Sequence, residues 1–276
     1  MTSGYLDRFA GVGRLFGRLG LARIAAAHVV VVGLGGVGSW VVEALARSGV
    51  GALTLVDMDD VCISNTNRQL QALAGTMGQP KAEVLRERVL AINPECRVTV
   101  QLRFFTGATK EVFFAEALPA NCVVDAIDSL GNKCLLLADC RVAGIPVVAC
   151  GGCAGKRDAT SVRVSDMVYS EGDNLLRFVR KKLRQEYAFP RHGKPFGIPC
   201  VWSPELSMGT PTCDEEAGEG PALLGTIGEG DALRPNCEWG YGTAVFVSGA
   251  FGFTAAGVAL GNIASGLWGA AGSGRS

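Results

Sequence analysis

Gly33, Gly35 and Gly38 stand in G-x-G-x-x-G spacing, directly after the β-branched run 28–32 and ahead of a helical pattern reaching Arg47. Glycines so placed let backbone N–H groups approach phosphate oxygens, and the start of a helix adds a favourable dipole. Asp57 closes the next apolar run, 52–56. A carboxylate there can bind ribose hydroxyls. The pattern implies a nucleotide site, with NAD the default nucleotide and a Gly-rich structural turn the plain alternative.

The next segment argues against NAD. Asp57-Met58-Asp59-Asp60-Val61-Cys62 leads through Ser64-Asn65-Thr66-Asn67-Arg68-Gln69 to Gly78-Gln79-Pro80-Lys81. A dinucleotide needs no cation cluster, whereas a triphosphate being cleaved does. Arg68 and Lys81 would neutralise charge moving onto the leaving phosphates. Alone, each reads as a surface cation; together, after a ribose-binding Asp, they read as a site. Asp125-Ala126-Ile127-Asp128 ends a further strand pattern, where ligands of open α/β sheets bind. Asp128 suits Mg²⁺ between phosphates, or the cap of a helix starting near Leu130. Asp125, deeper in the strand, suits a backbone hydrogen bond.

Strand patterns at 28–32, 52–56, 97–102, 122–126 and 145–150 alternate with helical patterns at 38–47, 81–92, 109–117 and 130–143. This predicts an α/β, doubly wound, Rossmann-like, mostly parallel sheet. Residues 1–150 form the nucleotide-binding core, with an Arg-bearing lead and a short helix at the N-terminus. Residues 151–276 form the substrate and dimer part of the same domain, as an antiparallel or irregular extension. It contains a strand near 161–164, a basic helix over 175–187, a Pro/Gly-rich stretch over 190–237 whose acidic tract near 214–231 reads as a mobile loop, and a terminal apolar helix.

The chain has 276 residues, 26 Lys+Arg against 26 Asp+Glu, and 48% hydrophobic residues. It can bury a full core, and global disorder is excluded. Zero net charge confines any nucleic-acid site to a local patch. Ten Cys and no secretory signal point to a reducing, cytoplasmic setting. Residues 244–264 carry no charge and are long enough to span a bilayer, but glycines dilute them. A helix buried on the sheet is the favoured reading; membrane association is the minority one.

G-x-G-G-x-G, D-x-D-D-V, S-N-x-N-R-Q, G-x-x-K and D-x-x-D occur in this order. The combination resembles the E1-like adenylating enzymes (ThiF, MoeB and HesA type). Within them it is similar to the branch that dehydrates threonylcarbamoyladenosine in tRNA, through Gly36-Val37-Gly38-Ser39-Trp40, Thr66-Asn67-Arg68-Gln69, Ile92-Asn93-Pro94-Glu95-Cys96 and Arg14-Leu15-Phe16-Gly17. The resemblance implies ATP-dependent cyclisation of that nucleoside at position 37. It implies ATP phosphates on Gly33, Gly35, Gly36 and Gly38, and the ribose on Asp57. Asn67, Arg68, Gln69 and Lys81 would hold phosphates, and Asp128 would sit with Mg²⁺. Arg14 would reach the ATP of a second subunit, which implies a homodimer. A sulfur-relay protein is a further partner that the resemblance suggests.

Relatives that activate sulfur carriers bind zinc through two C-x-x-C pairs. Cys150 and Cys153 form the only such pair here, so no zinc is expected. Cys237 reads as a packed thiol. Between 177 and 194 stand seven Lys/Arg against Glu186 alone, with Phe178, Tyr187, Phe189 and His192 interleaved. Arg177, Arg180, Lys181, Lys182 and Arg184 are the candidate tRNA contacts; a solvated amphipathic helix is the alternative. The competing functions are activation of a ubiquitin-like sulfur carrier and an NAD oxidoreductase or adaptor. The first needs the missing zinc pair, and the second has no use for Arg68 and Lys81.

Overall fold

The computed structural model describes residues 1–191, 193–207 and 241–268. The elements are α1 (Ser3–Ala26), β1 (His28–Val32), α2 (Gly38–Arg47), β2 (Ala52–Val56), α3 (Lys81–Ile92), β3 (Arg97–Gln101) and α4 (Lys110–Ala117). There follow β4 (Cys122–Asp125), α5 (Leu130–Val142), β5 (Val147–Cys150), β6 (Arg163–Asp166), α6 (Asn174–Glu186), β7 (Pro199–Trp202) and α7 (Val245–Ser265). The seven strands form one sheet in the order β3-β2-β1-β4-β5-β7-β6. All pairs are parallel except β6 with β7.

The central strands are continuous Val-rich runs because both sheet faces are covered. On β1, Val29 and Val31 pack with α2 and α7, while Val30 and Val32 pack with α5 and α6. The order reverses between β1 and β4, so the crevice above their carboxyl ends is where a nucleotide site belongs.

Two expectations about the chain's path are corrected. The lead is helical from Ser3 onward, broken at Phe9 and at Gly17, where φ is +76°. Glycine tolerates that angle, so the helix changes direction without ending. The Pro/Gly-rich segment 190–237, in which no strand was expected, contains β7, which pairs with β5 and β6. Four residues headed by Pro199 give almost no periodic signal. The proline is tolerated at the first strand position, where the ladder does not need its N–H. The expected acidic tract near 214–231 and Cys237 lie outside the described residues.

Among the described residues, α7 alone is long and apolar enough to cross a membrane. Its inner face, including Val247, Phe251, Ala255, Ala259 and Ile263, belongs to the core. A Cβ added at Gly252 would lie 2.7 Å from both Trp40 Cβ and the Val37 carbonyl oxygen of α2. Gly252, one of the glycines that dilute the hydropathy of α7, therefore lets the two helices approach closely. Arg23 of α1 donates to the Ala264 carbonyl at 2.8 Å and ties the end of α7 to the lead.

Candidate active site

The glycine loop lies above β1 as its spacing requires. Gly33 has φ +87°, and a Cβ there would come within 2.8 Å of the Ala126 carbonyl oxygen. A Cβ on Gly38 would lie 1.8 Å from the carbonyl oxygen of Gly33. No side chain larger than hydrogen fits at Gly38, where α2 leaves the strand. No side chain caps the start of α2; the Ser39 and Trp40 N–H groups donate to the carbonyls of Gly35 and Val37, and among the described residues those of Gly36, Val37 and Gly38 have no partner, which leaves them for an anion.

Asp57 is 7% exposed. Its carboxylate accepts the Leu34 N–H at 2.7 Å and the Asp59 N–H at 2.8 Å. Burial pushes its pKa above the usual carboxylate range, against the pull of those two N–H groups and Lys81. Asp57 therefore braces the glycine loop, and it keeps lone pairs for a further donor such as a ribose hydroxyl.

Lys81 begins α3 and is nearly buried, with its amine 2.8 Å from Asp59 Oδ2. A short antiparallel clip fixes it: Asp60 bridges Pro80, Lys81 N–H donates to the Asp59 carbonyl at 3.0 Å, and Val61 N–H donates to that of Gln79 at 2.9 Å. Asp59 was visible in the D-x-D-D motif, but no role was read for it; its partner stands 22 residues downstream.

Arg68 reaches back to the Ser64 carbonyl at 2.8 Å and to Asn67 Oδ1 at 2.9 Å. Asn67 in turn donates to the Thr243 carbonyl at 2.8 Å, which ties this segment to the approach of α7. The Trp40 indole donates to the Arg68 carbonyl at 3.0 Å and meets Phe253 edge to face. The Arg68 stem flanks Gly36: a Cβ there would be 3.3 Å from Arg68 Cγ. Gln69 is buried, and its amide nitrogen faces Gly35. The structure thus gathers Gly33, Gly35, Gly36, Gly38, Asp57, Asn67, Arg68, Gln69 and Lys81 around one loop.

Asp128 is exposed, just past β4. The turn beneath it is held by Lys133, a residue not read from the sequence. Lys133 and Asp125 are fully buried and pair at 2.8 Å, and Lys133 also donates to the Ile127 carbonyl at 3.0 Å. Burial lowers the Lys133 pKa, but Asp125 more than restores it. One lysine among the apolar residues of α5 was the available signal. Asp125 accepts the Ile127 N–H at 3.1 Å, the backbone role expected of it.

Asp173 is a second unread residue. Its buried carboxylate caps α6 by accepting the Leu176 N–H at 2.9 Å and also accepts the Gly152 N–H at 2.8 Å. Burial pushes the Cys150 thiol up to about 12 and that of Cys153 up to about 11. Such thiols are protonated at neutral pH and poor ligands. Among the described residues, no three His, Cys, Asp or Glu side chains cluster as a metal site.

Arg14 stands apart, exposed on α1. The α6 cations lie on the sheet face opposite α2 and α7, where Leu176, Val179 and Leu183 dock into the core. Several have intramolecular partners. Lys182 pairs with Glu186 at 3.0 Å, Arg180 donates to Ser170, and Arg184 donates to the Pro190 carbonyl at 3.3 Å. Arg177 and Lys181 are the most exposed of the five.

A glycine loop at the switch point of a mostly parallel sheet, with Lys81 and Arg68 on the segments that follow it, has the frame of a nucleotide-binding α/β protein. The chain belongs to the ThiF family, whose model matches residues 8–189. It is 41% identical over 94% of its length to the tRNA threonylcarbamoyladenosine dehydratase of Escherichia coli, of which 94% is covered. The crystal structure of the Escherichia coli tRNA N6-threonylcarbamoyladenosine dehydratase in complex with ATP superposes with a TM-score of 0.81 and 37% identity, covering 96% of this chain and 97% of that one. A molybdopterin-synthase adenylyltransferase of Salmonella typhimurium is 38% identical, but over 45% of this chain and 48% of its own.

Proposed function

We propose that this chain is an ATP-dependent tRNA threonylcarbamoyladenosine dehydratase, which closes the threonylcarbamoyl side chain of the adenosine at position 37 into its ring form. One observation carries the reading: the glycine loop and its cations lie within a likeness to such a dehydratase that runs nearly end to end, C-terminal part included. The likeness to the sulfur-carrier branch stops near half of the chain, which disfavours that alternative.

The chemistry follows from the groups present. A carboxylate is a poor electrophile because oxide would have to leave. Attack of its oxygen on the α-phosphorus of ATP gives a mixed anhydride and releases pyrophosphate. A nucleophilic atom of the same side chain then attacks the acyl carbon and loses its proton, and AMP departs with the former carboxylate oxygen. Closure within one molecule needs no protein nucleophile. Lys81 and Arg68 stabilise charge building on the phosphates. Gly33, Gly35, Gly36, Gly38, Asn67 and Gln69 hold them, and Asp57 holds the ribose. Asp128 fits Mg²⁺, because its exposed carboxylate is a hard oxygen donor that no Lys or Arg among the described residues pairs with; when bound, Mg²⁺ would neutralise phosphate charge. Incubation with ATP and tRNA bearing the open nucleoside should lower the nucleoside mass by one water. Unchanged nucleosides, with active substrate and intact protein, would refute this reading.

We assign Arg14 to the neighbouring subunit's ATP in a homodimer. Mixing inactive Arg14→Ala with inactive Lys81→Ala chains should restore part of the activity, because one hybrid site holds both residues. No recovery under demonstrated subunit exchange would count against it. Arg177 and Lys181, with Arg180, Lys182 and Arg184 behind them, are assigned to the tRNA backbone. Replacing Arg177 and Lys181 by Ala should weaken tRNA binding and flatten its salt dependence by about one unit of log–log slope per lost contact. ATP affinity should stay unchanged; equal tRNA affinity would leave the helix a solvated surface. The free thiols of the described residues suit a reducing cytoplasm.

A further inference from the structure

Gln71 belongs to none of the motifs above, yet it is 1% exposed and lies against the glycine loop. Its amide nitrogen donates to the Leu34 carbonyl at 2.8 Å and to Gln69 Oε1 at 3.1 Å. We propose that Gln71 is a positioning residue that fixes which end of the Gln69 amide faces the ATP phosphates, and that it clamps the Leu34 peptide inside the loop.

The orientation is transmitted in one direction. A backbone carbonyl can only accept, so the Gln71 atom facing Leu34 must be its nitrogen. That nitrogen then selects the oxygen of Gln69 as its second partner. With its oxygen engaged, Gln69 turns its N–H groups outward, and its nitrogen would stand 3.9 Å from a Cβ at Gly35. A phosphate oxygen accepts hydrogen bonds and is repelled by an amide oxygen, so the flipped amide would oppose ATP. The Leu34 peptide is held at both ends, its N–H by Asp57 at 2.7 Å and its carbonyl by Gln71 at 2.8 Å. Gln71 Oε1 is buried with no hydrogen-bond partner among the described residues. An unmade hydrogen bond at a buried oxygen lowers stability. The amide therefore serves the two acceptors on its nitrogen side, the Leu34 carbonyl and Gln69 Oε1, and not its own oxygen.

The inference rests on the phosphate role proposed for Gln69, and the test separates the two. In the full-length protein, Gln71→Met should raise KM for ATP about tenfold, the effect of one lost orienting hydrogen bond, and should lower the unfolding temperature modestly, because the Leu34 carbonyl and Gln69 Oε1 lose their donor. Gln71→Glu adds a pH signature. The protonated acid can still donate one hydrogen bond, whereas the carboxylate presents only oxygens to two acceptors. KM for ATP should therefore climb with pH in this variant relative to wild type. Unchanged ATP KM in Gln71→Met, or a flat relative pH profile in Gln71→Glu, overturns the proposal. Gln69→Ala supplies the control. If it leaves KM unchanged, the phosphate role of Gln69 fails and the proposal falls with it. If it raises KM while Gln71→Met does not, only the positioning role fails.

Discussion

Lys81→Ala should lower ATP-dependent turnover by roughly 10²–10³-fold, the usual loss when one preorganised charge contact is removed from a transition state. Its amine is held at the site by Asp59 at 2.8 Å and by the clip around Pro80. The clip is backbone and survives the substitution. Folding should therefore persist, and circular dichroism should match wild type. Lys81→Arg should recover little, because a planar guanidinium fork does not reproduce the compact ammonium charge paired with Asp59 at this nearly buried position. Steady-state turnover of tRNA by these variants decides the matter. Near-normal turnover of a folded Lys81→Ala protein would remove Lys81 from the phosphate site.

Lys133→Met should lower unfolding free energy by about 3–5 kcal/mol, because it strands the Asp125 charge in the core. Replacing both partners, Asp125→Leu with Lys133→Met, should recover most of that loss, since apolar pairs often replace buried ion pairs at no net cost. Urea unfolding measures both. The single variant should also acquire a pH dependence. Burial pushes the Asp125 carboxyl upward already, and without Lys133 the folded state will hold a proton that the unfolded chain gives up. A folded-state pKa above the unfolded one makes stability fall as pH rises through the window between them. A single variant as stable at about pH 8 as at about pH 5 would contradict this account.

The order of elements through β5 was legible because β1, β2, β4 and β5 are buried apolar runs, β3 alternates Val with polar residues, and the helical stretches between them are long enough to separate them. The glycine loop, Asp57, Arg68 and Lys81 were legible because phosphate chemistry confines residue types at short range. What escaped depends on contacts between distant segments. Asp59 finds Lys81 across 22 positions, and Asp173 finds Gly152 across 21. Lys133 carries no signal in the sequence beyond being one lysine in α5, and only the fold turns it inward beneath Asp125. β7 is too short and too Pro-bound for any period to show. The basic segment was read as a helix from its charges. Which of those charges are spent on Glu186, Ser170 and Pro190 could be seen only once α6 was folded against its neighbours.

Asp173 works as a pivot pin. One carboxylate holds the first turn of α6 and the Gly152 peptide at the end of β5 together. A Cβ at Gly151 would lie 2.4 Å from that carboxylate, so the turn and the pin are seated without slack. If α6 shifts along its axis, it must drag Gly152 with it or break one of two charged hydrogen bonds. A load applied to the helix is thereby delivered to the turn at the carboxyl end of β5.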